Sequence, residues 1–118
     1  MIEADVRDFL VANAGVSTRV YPGHLPQTPT LPAVVYNRIS GSSELDLGIG
    51  GGLTESLFQV DSYAATYSEV KNVVAAIVAA LESYVGTAFK VTAIDTQDAP
   101  YEDGVNEFRA VTEFRIFH

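Results

Sequence analysis

Cysteine is absent from the 118 residues, so neither a disulfide framework nor a thiolate metal site can be built from this chain. Histidine is nearly absent as well: His24 lies in a proline-rich stretch, and His118 stands at the last position. A nucleophile–histidine–acid arrangement needs an imidazole held by its surroundings, which neither position promises. Basic residues are scarce, seven against fifteen acidic ones, for a net charge of −8. Arg7, Arg19, Arg38, Lys71, Lys90, Arg109 and Arg115 are scattered along the chain, with no cluster to meet phosphates. Specific nucleic-acid binding and anionic membranes are therefore not expected. The longest apolar run, Val73–Leu81, falls well short of the ~20 residues a membrane helix needs. Met1-Ile2-Glu3-Ala4-Asp5 has neither the basic nor the apolar region of a signal peptide. These absences lead to the expectation of a soluble protein made in the cytoplasm.

What is present is enough for a core. A chain of this length buries roughly two thirds of its unfolded surface, and 47% of its residues are apolar. One domain over 1–118 is expected, with no internal repeat. Ile2, Val6, Phe9, Leu10 and Ala14 form a helical stripe, with Glu3, Asp5 and Asp8 near its N-terminus and Gly15 at its end. Ser17–Tyr21 reads as a short strand. Pro26, Pro29 and Pro32 then make 24–32 an extended connector.

Ala33–Ser40 is rich in β-branched and aromatic residues and reads as a strand, and Gly41–Gly52 as a glycine-rich hairpin loop. Thr54–Tyr63 resumes strand character, with Phe58, Val60 and Ser62 on one face and Leu57, Gln59 and Asp61 on the other. Thr66-Tyr67-Ser68-Glu69 is a capping box. Val70, Val73, Val74, Ile77, Leu81 and Tyr84 continue it as a helix, ended by Gly86. Phe89–Thr96 and Asn106–Phe117 complete the strands. In the last one Phe108, Ala110, Thr112, Phe114 and Ile116 alternate with charged residues. The expected class is α+β: two helices packed on one face of a mainly antiparallel sheet, in the order α-β-β-β-α-β-β.

Chemistry finds little purchase on this pattern. Gly48-Ile49-Gly50 opens like a phosphate loop, but Leu53 replaces the third glycine and a strand follows instead of a helix. Asp95, Asp98, Glu102 and Asp103 are dense enough to suggest calcium, yet Pro100 and Tyr101 break any EF-hand spacing, and a solvated acidic turn explains them better. Asp61 has no second group nearby in sequence to make it a general base. No enzyme activity, cofactor or metal is expected. Leu45, Leu47 and Ile49, alternating with Asp46 and Gly48 among glycines, fit no core phase. Large apolar residues in such a loop imply a partner that covers them, so Leu45, Asp46, Leu47 and Ile49 form the candidate interface.

At this point the residues resemble a family. Pro32-Ala33-Val34-Val35-Tyr36-Asn37-Arg38-Ile39-Ser40 is similar to a strand of phage tail completion proteins, also called tail-to-head joining or tail terminator proteins. Gln59–Tyr67 with its small-residue-rich helix, and Ala99-Pro100-Tyr101-Glu102-Asp103 before the final strand, are similar to later blocks. The resemblance implies a hexameric ring of identical subunits that caps the tail tube, stops its growth and docks the tail to the head. It implies the tail tube protein and a head–neck connector as partners, and a place in the virion tail after assembly in the host cytoplasm. It brings no cofactor and no active site. Two other readings stay open: another neck or head-closure connector subunit, or a small cytoplasmic ligand-binding domain.

Overall fold

Helix α1 (Ile2–Asn13) forms where the stripe places it and buries Ile2, Val6, Phe9 and Leu10. The computed structural model describes residues 2–16, 18–27, 29–44, 53–98 and 107–118, with the backbone alone for 40–44 and 53. Ala14 N–H still reaches Leu10 O at 2.9 Å, and Gly15 then takes φ +74°, a left-handed step that stops the helix. The chain enters a short strand, β1 (Val20–Pro22), and a connector containing a cis Leu31–Pro32 peptide. Four longer elements of sheet follow: β2 (Ala33–Glu44), β3 (Leu53–Ala64), β4 (Lys90–Asp98) and β5 (Phe108–Phe117).

The five strands lie in the order β1-β2-β3-β5-β4. β2–β3, β3–β5 and β4–β5 are antiparallel, but β1 pairs with β2 in parallel, so the sheet is mixed. Short links favour antiparallel neighbours; here the connector from Gly23 to Pro32 is long enough to carry the chain back alongside β1. β2 also runs further than its composition suggests. Gly41–Glu44 are strand, not loop, because each is registered against β3, from Gly41↔Ser56 to Glu44↔Leu53. Cross-strand bonding here overrides the weak β preference of glycine and serine. A bulge at Ile39 shifts the register.

Helix α2 (Tyr67–Glu82) starts on the expected cap: Thr66 is extended (φ −128°, ψ 154°) and its Oγ1 accepts from Glu69 N–H at 3.2 Å. It ends earlier than Gly86. Ser83 closes it, its N–H and its hydroxyl both donating to Ala79 O, at 3.1 and 2.9 Å. Gly86 lies beyond that end, where a Cβ would meet the Tyr84 ring.

Both helices lie on the same face. Val6, Phe9 and Leu10 of α1 and Val73, Ile77 and Leu81 of α2 share one apolar cluster with Val34, Phe58, Val60, Phe114 and Ile116 of the sheet. Phe58 and Phe114, registered opposite each other, stack with centroids 5.8 Å apart. Phe108 shares this face but is only half-buried, packed beside Ala64, Val70 and Ala110 at the far end of α2.

Candidate functional site

Among the described residues the sheet's second face carries no helix, and several of its polar groups pair with one another. Asp61, buried in mid-strand, accepts from Arg109 Nη2 at 2.9 Å and from Gln59 Nε2 at 3.0 Å. Arg109 in turn lies over the Tyr63 ring, 6.0 Å from its centroid. Burial pushes the Tyr63 phenol above its ordinary value, opposed by Arg109. Further along, Arg115 bonds Glu55 at 3.2 Å. Asp61 thus gains the charged partner its sequence neighbours do not offer, across strands and 48 residues away. The Asp61 carboxylate is satisfied by these two donors.

A second cluster ties the ends of three elements together. Arg38 Nε donates to Ser56 Oγ at 3.1 Å, and His118 Nε2 lies 2.8 Å from the same oxygen. Arg38 also approaches Glu3 of α1 at 3.7 Å. His118 is therefore held, contrary to the frayed end its position suggests: its N–H and O both bond Thr54, at 3.0 and 3.1 Å. Burial, helped by Arg38, lowers its pKa, while Glu3 and Asp5 oppose the shift. Arg38 fills one lone pair of Oγ, and the direction of the Ser56–His118 bond follows the imidazole tautomer. Ser56 is buried, and these bonds latch the end of β5 to β2, β3 and α1.

At the opposite end, Lys71 and Tyr67 of α2 both donate to Asp98 of β4. The Lys71 bond lowers the Asp98 pKa and raises that of Lys71. Asp95 and Asp98 of the acidic group are exposed strand residues, and Glu102 and Asp103 lie outside the described residues. No set of three or more potential metal ligands occurs among the described residues. A groove of about 480 Å³ between α1 and the end of α2 is lined by Asp5, Asp8, Phe9, Tyr84 and Val85.

The expected interface residues Leu45, Asp46, Leu47 and Ile49 also lie outside the described residues, in the connection between β2 and β3. Exposed apolar positions that sequence reading passed over are Val85, 95% accessible after α2, and Ile39 at the β2 bulge. Val85 follows a helix stripe that simply stops, which was the available signal. Ile39 is exposed only because the bulge breaks alternation, and nothing local in the sequence announces it.

Taken together, the described residues make a mixed five-stranded sheet backed by two helices, with paired surface charges and no assembled reactive constellation. Comparison with known families gives the class: the chain belongs to the family described as tail completion protein gp17, which it matches over residues 4–118. It is a phage tail structural protein. Among solved structures, a chain of the "Virion of native gene transfer agent (GTA) particle" shares the fold, with a TM-score of 0.59 and 16% identity, covering 98% of this chain and 90% of that one. The comparison with curated proteins returned no match.

Proposed function

We propose that the chain, acting as one domain over 1–118, assembles into a hexameric ring that ends the tail tube and joins the tail to the head. The family match over nearly the whole chain carries this reading. The residues support it in three ways. The polar clusters are paired structurally and none is poised for catalysis, so the protein acts without enzymatic chemistry or cofactor. The net charge of −8 suits a ring through which DNA passes without sticking. Leu45, Asp46, Leu47 and Ile49 supply an apolar contact for neighbouring subunits. Its partners are itself, the tail tube protein and a head–neck connector, and it moves from the host cytoplasm into the tail as assembly proceeds.

The test is electron microscopy of tails made with and without the chain. Tails lacking it should be overlong and fail to join heads, and adding the purified chain should place a ring at the tube's head-proximal end. Tubes of normal length that fail only at head joining would favour the other connector reading instead.

A further inference from the structure

Three aromatic rings fix the turn that joins α2 to β4. Tyr84 and Phe89 stack with centroids 4.3 Å apart, and Phe9 of α1 meets both edge-on, at 5.5 and 5.9 Å. Gly86, between them in sequence, leaves room for the Tyr84 ring. The turn is thus anchored at Tyr84 and at Phe89, yet it holds Val85 with 95% of its surface exposed. A lone exposed valine needs no explanation. This one stands on the lip of the groove of about 480 Å³, which Phe9, Ala80 and Tyr84 also line. An apolar tip whose backbone is already fixed loses little conformational freedom when a partner covers it.

The charge around that groove has one sign. Asp5 and Asp8, three residues apart on α1, line it, and no basic side chain does so among the described residues. Like charges at that spacing share one helix face and repel. Arg7 approaches Asp8 at 3.6 Å, but both side chains are largely exposed and the pair is weak. Helix α2 ends at the same groove without a basic residue in its last turn, so its negative dipole end adds to the two carboxylates. Aromatic rings beside carboxylates suit a Lys or Arg side chain, whose aliphatic stem covers the rings while its charged head meets the acids.

A second copy of this chain is poorly supplied with such a side chain. Arg7, Arg38, Lys71, Arg109 and Arg115 are in ion pairs, and Arg19 donates to Pro32 O. Lys90 alone has no such partner among the described residues, and it lines the neighbouring groove, across Gly86 and Ala88. It could enter the acidic groove of another copy only if the same ends faced each other, a two-fold contact that a head-to-tail ring does not use. Each copy also carries a net charge of −8. We infer that a different protein docks in this groove, through a segment that lays an apolar side chain on Val85 and brings a Lys or Arg to Asp5 and Asp8. The inference rests on the reading of the chain as a ring subunit that binds unlike proteins, and it names the surface that one of them uses.

The cysteine-free sequence permits a direct test on the full chain, with tail tubes and heads assembled without it. Val85→Cys carrying a thiol-linked photocrosslinker should join to a tube or head protein, at a segment that contains Lys or Arg. The same label on Ala75→Cys, at an exposed position of α2, should give severalfold less product. Asp5→Asn/Asp8→Asn and Val85→Ser should each weaken binding to that partner severalfold, while self-association and melting temperature stay close to those of the parent. Asp95→Asn/Glu113→Gln removes the same charge from the other sheet face and should bind as the parent does. Equal binding by the groove variants and this control, a crosslinked segment without a basic residue, or crosslinking from position 85 to a second copy overturns the inference while leaving the ring reading intact. A parent chain that forms no ring and binds neither tubes nor heads overturns the ring reading, and the inference with it.

Discussion

The two faces of the sheet are built from the same strands and held by different forces. Under the helices, Phe58, Val60, Phe114 and Ile116 are fully enclosed and stabilise by loss of apolar surface to a close-packed interior. On the other face, Asp61, Arg109, Gln59, Glu55 and Arg115 hold one another by directional bonds in a setting open to water. The first kind of stabilisation scales with area and tolerates no truncation. The second is local and partly replaced by solvent once a partner is lost. Stability should therefore reside on the helix face, leaving the open face free to change.

Phe114→Ala tests the contrast most severely. It empties the stack with Phe58 and should cost about 3–5 kcal/mol, against a total of roughly 5–15 kcal/mol for a domain of this size. Urea unfolding should show the midpoint collapsing or the fold lost; a shift as small as that of an open-face variant would break the distinction between the faces. Asp61→Ala comes next. It leaves the Gln59 amide and the Arg109 guanidinium without their acceptor, but Arg109 is 42% exposed and recovers water, so the loss should be about 1–2 kcal/mol. Asp61→Asn, which keeps an acceptor, should lose less in the same urea unfolding comparison.

Acid provides a milder probe at the latch where the sheet meets α1. Because His118 has a lowered pKa in the fold, the unfolded chain takes up the proton first as pH drops below about 6.5. Stability contributed by the neutral imidazole is thus complete at neutral pH and is lost as pH falls through the depressed value. The lowered Asp98 acts in the same direction at a lower pH, below the ordinary aspartate range. Melting temperature should decline from neutral pH downward, and His118→Gln should flatten the first part of that decline. An unchanged profile in that variant would show that the latch does not titrate. Smallest of all is Arg115→Ala. Its bond to Glu55 is half exposed and should contribute no more than about 1 kcal/mol, removable by salt. A larger loss that persists at high salt would mean the open face is more rigid than its exposure suggests.

Periodicity alone placed much of this molecule. The stripe from Val70 to Leu81 and the alternation from Phe108 to Ile116 are repeated signals over many residues, and the burial follows them. Thr66 and Gly15 were legible because a cap and a left-handed stop are properties of one or two residues. The candidate contact at Leu45–Ile49 was legible only as a misfit of apolar residues among glycines, and it lies outside the described residues. Phe108 shows where periodicity misleads in degree. Its phase is right, but α2 covers it incompletely, and how far a helix extends over a strand is not a local property.

By itself, then, the sequence determined the number, kind and phase of the elements, and with them which face of each strand is apolar. Those are short-range consequences of side-chain spacing and backbone chemistry. The tertiary structure alone decided the parallel pairing of β1, the place of β5 between β3 and β4, and the strand character of Gly41–Glu44. It also decided that Asp61 meets Arg109 and that His118 meets Ser56. Each of these joins residues far apart in the chain through hydrogen bonds whose partners are set by strand order and register. Many registers satisfy the same alternation, and only the packing of the two helices over the whole sheet selects among them.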